Sequence, residues 1–81
     1  MLERVQVFTL GCVRSVVTEK NLRRAVEEMG LDIEIEASAD PKVHEKEDLT
    51  EFPAVKINGE LKVDGSFTSV EEFKEILSEY L

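Results

Sequence analysis

The sequence predicts an α/β fold with the element order β-α-β-α-β-β-α, a four-stranded mixed sheet flanked by helices, in a single domain over residues 1–81. Three observations predict it. A strand-like run, a helix-periodic run and an alternating run succeed one another within the first 40 residues, the layout of a right-handed parallel crossover. Two later alternating runs meet at Asn58-Gly59, the dipeptide best suited to a tight hairpin. The chain of 81 residues is long enough for one hydrophobic core and too short for two.

Arg4 to Thr9 carries Val5, Val7 and Phe8 and reads as a strand that stops at Leu10-Gly11-Cys12, where glycine permits a sharp change of direction. A helix from about Val13 to Met29 follows, because Leu22, Ala25, Val26 and Met29 share one helical face while Glu19, Arg23 and Glu27 lie off it. Gly30 marks its end. Asp32 to Ala37 alternates, with Ile33, Ile35 and Ala37 toward the core and Asp32, Glu34 and Glu36 toward water. Asp40-Pro41 begins a short helix through Lys42 to Asp48, since Asp caps free amides and proline lacks only an N–H that the first helical position does not need. Leu49 is the expected anchor of that segment to the core. Pro53 to Ile57 and Leu61 to Asp64 form the hairpin arms. Ser69 and Glu72 make a capping box, and Val70, Phe73, Ile76 and Leu77 supply the apolar face of a last helix ending near Tyr80. No internal repeat, linker or low-complexity segment interrupts this order.

Composition narrows the function classes. With 42% hydrophobic and 35% charged residues and a mean hydropathy of −0.20, the chain is of ordinary globular type. No apolar run reaches the roughly 18–20 residues of a membrane helix, and Met1-Leu2-Glu3-Arg4 lacks the basic-then-apolar pattern of a secretion signal, so a cytoplasmic location is the expectation. Ten Lys plus Arg against eighteen Asp plus Glu give a net charge of −8, which argues against nucleic acid or an anionic membrane surface as a partner. The charge is uneven. Residues 1–26 hold five basic and two acidic side chains, whereas residues 27–51 hold two and ten. One Cys and one His build neither an internal disulfide nor a zinc site, so no metal or other cofactor is expected. His44, in a charged segment, is expected to be solvated or locally bonded and receives no role.

Cys12 lies between the first strand and the first helix, where unpaired amides and the helix dipole stabilise an anion such as a thiolate. Arg14 and the positive opening segment push the same way. A lone cysteine is otherwise an inert small hydrophobe, so its placement carries the case.

Gly11-Cys12-Val13-Arg14-Ser15 after a strand, Thr50-Glu51-Phe52-Pro53, and Asn58-Gly59-Glu60-Leu61-Lys62 in a hairpin resemble the very small thioredoxin-like proteins of archaea and bacteria, often labelled redox-active disulfide or glutaredoxin-like proteins. The resemblance runs from about Val5 to Leu77 and implies a thioredoxin-like fold. Members of that family open the helix with Cys-x-x-Cys and set a cis-proline opposite it. By position, Cys12 matches the attacking cysteine, Ser15 the resolving cysteine and Pro53 the cis-proline. From the residues alone a trans Phe52–Pro53 bond would be assumed, because only about 5–6% of X-Pro bonds in folded proteins are cis; the cis geometry is implied by the resemblance. Phe52 is then either a platform beside Cys12 that docks an extended partner, or a core residue.

Serine at position 15 is the departure from the family pattern. Without a second thiol, a mixed disulfide on Cys12 needs an outside thiol for release, while the Ser15 hydroxyl can still support the thiolate. The leading expectation is a monothiol exchange protein in which Cys12, Ser15 and Pro53 carry the chemistry and Phe52 and Arg14 contact the substrate. Its partners would be a protein disulfide or thiol and a small external thiol, with the chain itself a monomer. The alternative is a redox-inactive binding module that docks a partner at the Phe52-Pro53 edge. A glutathione-dependent or iron–sulfur role ranks last, since Val63-Asp64-Gly65-Ser66 shows no glutathione-binding signature.

Overall fold

The computed structural model describes residues 1–81. In chain order the elements are β1 (Val5–Phe8), α1 (Val13–Glu28), β2 (Ile35–Ser38), α2 (Pro41–Lys46), β3 (Ala54–Ile57), β4 (Glu60–Asp64) and α3 (Val70–Ser78). The sheet order is β2-β1-β3-β4. β1 pairs parallel with β2 and antiparallel with β3, and β3 pairs antiparallel with β4. This is the expected four-stranded mixed sheet.

All four residues of β1 are buried, as befits a central strand covered on both faces. Val5 stands opposite Ile57 and Val7 opposite Val55; these side chains join Leu22, Ala25 and Val26 of α1 and Phe73 and Leu77 of α3 in the main core. Burying a side chain of this size stabilises by about 1.5–3 kcal/mol relative to exposure. The other face is set by the intervening pairs, Gln6 opposite Lys56 and Phe8 opposite Ala54. α2 covers it. Its His44 ring meets Phe8 edge-on at 6.0 Å, and Glu47, the residue capping its C-terminal end, accepts from Lys56 Nζ at 3.1 Å.

The hairpin turns as the sequence predicts. Asn58 (φ 53°) and Gly59 (φ 83°) both adopt positive φ between β3 and β4, the requirement of a two-residue turn whose twist suits its strands. The Asn58 side chain also accepts the N–H groups of Glu3 and Arg4 and donates to the Met1 carbonyl. It therefore ties the chain start to the turn. At the other end, α3 has the full reciprocal capping box between Ser69 and Glu72, and Asp40 caps α2 by accepting from the Lys42 N–H at 2.9 Å.

Three expectations need correction. The second strand begins at Ile35 rather than Asp32, because β1 offers register partners only from Val5 onward. Ala37, placed toward the core by its alternation, is exposed; β2 is an edge strand, and the cover that reaches Ile35 does not extend to Ala37. His44, expected to be solvated or locally bonded, proves locally bonded: its Nε2 lies 3.3 Å from the Ser38 carbonyl, and at 4% exposure it is the only buried residue of α2. It takes the anchoring part assigned to Leu49, which is only half-buried.

Candidate functional site

The site is built where β1 ends. Gly11 adopts φ +78°, a left-handed conformation that costs glycine little, and the chain turns there into α1. Cys12 is the N-cap residue, extended at φ −79° and ψ 168°, and its carbonyl accepts the Val16 N–H at 3.0 Å. The thiol is free and exposed. No acidic residue occupies the first turn of α1, so nothing local offsets the positive end of the helix dipole.

Cys12 Sγ lies 3.3 Å from Ser15 Oγ. The Ser15 hydroxyl, followed by the Ser15 backbone N–H, holds the thiol below its ordinary pKa; partial desolvation opposes them, and the backbone N–H groups of Arg14 and Cys12 assist. The Cys12 side chain makes no formal cap hydrogen bond, so these amides act as oriented dipoles. The guanidinium charge expected of Arg14 plays no part in this. Arg14 Nη1 reaches instead toward the Gly65 carbonyl at 3.5 Å, and the residue acts on the thiol through its backbone. The acidic segment from Asp40 to Glu51 contributes nothing to the shift either.

Pro53 is fully buried, and the Phe52–Pro53 peptide bond is cis. Because Phe8 pairs with Ala54, Pro53 lies one register position beyond, beside Thr9 and at the same end of the sheet as the loop to Cys12. Two contacts connect this segment to α1: the Gly65 N–H donates to the Pro53 carbonyl at 2.9 Å, and the Gly65 carbonyl faces Arg14. Gly65 itself has φ +77°, and a Cβ there would stand 2.9 Å from Glu51 Cβ. Only glycine fits that approach. Phe52 is half-buried and rests on His44, with ring centroids 4.4 Å apart.

Some residues of this end were missed from sequence. Val13 is 81% exposed, Leu10 61% and Phe67 60%, and Val16 and Val17 are exposed as well. Phe67 belongs to the loop after β4 that α1 holds through Arg14 on Gly65 and through Asn21 Nδ2 on the Thr68 carbonyl at 3.0 Å. Meanwhile Ser15 and Thr18 are fully buried on the opposite face of the helix. The opening turns of α1 are thus inverted, with valines outward and hydroxyls inward. A helical-wheel count of residues 13–18 held this signal: valines at 13, 16 and 17 oppose hydroxyls at 15 and 18.

A mixed four-stranded sheet with helices on both faces, a thiol at the N-cap of the first helix and a proline in the loop before the third strand together define a thioredoxin-like protein. The family model for the thioredoxin domain matches residues 3–78. A thioredoxin of Methanothermobacter thermautotrophicus is 39% identical over 75 residues, which cover 93% of this chain and 97% of that relative. A thioredoxin of Methanocaldococcus jannaschii is 35% identical over 81 residues, covering 95% of this chain and 88% of its own. The chain belongs to the thioredoxin domain family. That membership supports a thiol–disulfide redox role in general terms. No helix is long and apolar enough to cross a membrane.

Proposed function

We propose that the protein performs thiol–disulfide exchange through Cys12 alone and depends on an external thiol to complete each cycle. The observation that carries this is the exposed Cys12 thiol at the start of α1, with the Ser15 hydroxyl 3.3 Å away. In the first step the Cys12 thiolate attacks one sulfur of a substrate disulfide. A bond forms between Cys12 and that sulfur, and the second substrate sulfur leaves as a thiolate with the electron pair of the broken bond. Ser15 has no sulfur with which to attack in turn. An outside thiolate therefore attacks Cys12 Sγ, the substrate leaves as its second thiolate, and a second outside thiolate takes the first as an external disulfide and expels Cys12 as the thiolate.

The exposed Leu10, Val13, Val16 and Phe67 suit a partner whose cysteine is flanked by apolar residues. The backbone at Phe52, just before Pro53, would receive that partner in extended form. Arg14 would line the same entrance, and its remaining donors are free for the substrate backbone.

The test has two parts. Wild-type protein mixed with a disulfide-bearing peptide should accumulate a Cys12 mixed disulfide that disappears when a small thiol is added. Ser15→Cys should release the same peptide without added thiol and finish with an internal disulfide between Cys12 and the thiol introduced at position 15. If neither protein forms the mixed disulfide, the proposal fails.

A further inference from the structure

Phe8, His44 and Phe52 form an aromatic stack outside the ten-residue core cluster under α1 and α3. His44 is at its centre. Its ring stands 4.4 Å from that of Phe52 at an interplanar angle of 36°, and 6.0 Å from that of Phe8 at 83°. His44 Nε2 lies 3.3 Å from the Ser38 carbonyl; a carbonyl only accepts, so this contact places a proton on Nε2. The same carbonyl accepts the Thr9 N–H at 2.9 Å. The imidazole is accordingly fixed to the ends of both β1 and β2, and Phe52 lies against its face.

We propose that His44 is a positioning residue for Phe52-Pro53, setting where the backbone before Pro53 meets a partner peptide; this rests on the thiol-exchange function proposed above. The segment is held from two sides. Gly65 grips one, through its N–H on the Pro53 carbonyl and its close approach to Glu51. His44 supports the other, and α2 contributes no other buried side chain. Histidine suits this place because one ring supplies both a flat surface for Phe52 and an N–H for Ser38. A leucine would fill the volume with neither. Phe52 keeps part of its surface open, so a shift of its ring moves a surface that a partner would touch while leaving Cys12, on a different element, as it is.

The experiment follows the reaction of Cys12 with a disulfide-bearing peptide at increasing concentration, beside its reaction with 2-hydroxyethyl disulfide, which is too small to use the platform. For His44→Ala and His44→Gln the half-saturating peptide concentration should rise about three- to tenfold, the scale of losing one aromatic pair. The limiting rate and the reaction with the small disulfide should not change. His44→Phe keeps the flat surface and should recover most of the peptide affinity. Should His44→Ala not fold, the Gln and Phe variants decide the matter alone. Wild-type peptide affinity in His44→Gln, no recovery in His44→Phe, or equal losses toward peptide and small disulfide would each overturn the positioning role. Wild-type protein that reacts with the small disulfide but never saturates with peptide overturns it while sparing thiol exchange. Wild-type protein that reacts with neither overturns both.

Discussion

The hydroxyl of Ser15 faces two ways. Its oxygen accepts the Leu10 N–H at 3.3 Å and lies at the same distance from Cys12 Sγ, which leaves its own proton available to the sulfur. Ser15 is fully buried while the thiol is exposed. The donor is thus kept from water, and its direction is set by the backbone it also serves. Since this hydroxyl is the largest cause of the lowered Cys12 pKa, Ser15→Ala should raise the midpoint of Cys12 alkylation against pH toward that of a free thiol. The sign follows from ionisation: below its pKa the thiol is protonated and unreactive, so near neutral pH the variant should alkylate more slowly. The gap should close once both proteins are fully ionised at high pH. A pH series with iodoacetamide measures it, and an unchanged midpoint would assign the shift to the backbone amides instead.

Helix α1 combines two patterns along its length. From Leu22 to Val26 its apolar side chains face the core, as the periodicity indicates, whereas Val13, Val16 and Val17 turn outward and Ser15 and Thr18 turn in. Ser15 finds partners in its buried position. Thr18 Oγ1 does not. A buried polar atom without a hydrogen bond costs about 1–3 kcal/mol, and valine has nearly the shape of threonine without the hydroxyl. Thr18→Val should therefore raise stability by about 1 kcal/mol, a melting-point gain of about 4–8 °C for a domain of this size. Thermal denaturation followed by circular dichroism tests it. Outward valines at the helix opening make sense if a partner covers them during exchange, so Thr18→Val should leave the rate of Cys12 alkylation unaltered.

The whole molecule depends on a small number of large buried side chains. At about 0.05–0.15 kcal/mol per residue a domain of this length has a total stability of about 4–12 kcal/mol. Phe73 is completely buried between the sheet and α1, and truncating such a residue costs about 3–5 kcal/mol. Phe73→Ala should thus remove a large share of the total and shift the urea midpoint strongly downward, which denaturation followed by circular dichroism measures. Surface ion pairs weigh far less. Arg4 with Glu36 at 2.8 Å and Arg24 with Glu28 at 2.6 Å are largely solvent-facing, where screening by water and the entropy of holding two long side chains leave little net stabilisation. The lowered pKa of Glu36, due first to its hydrogen bond with Arg4, accordingly carries little of the acid stability.

Local chemistry alone determined the element order. Asn58-Gly59, the Ser69 and Glu72 box, Asp40-Pro41 and the glycines after β1 and α1 each satisfy a backbone requirement that neighbours a few residues away impose, so these features are legible in one dimension. The placement of Cys12 at a helix start belongs with them. What the sequence could not determine depends on contacts between residues distant along the chain. His44 is buried because Phe8 of β1 and Phe52 of the loop before β3 meet α2 on one face of the sheet. Arg14 faces Gly65 because that glycine comes within reach only after β3 and β4 have paired. Ala37 is exposed because β2 falls at the edge of the sheet, and strand order is settled by how the strands pack together, not by the alternation within any one of them.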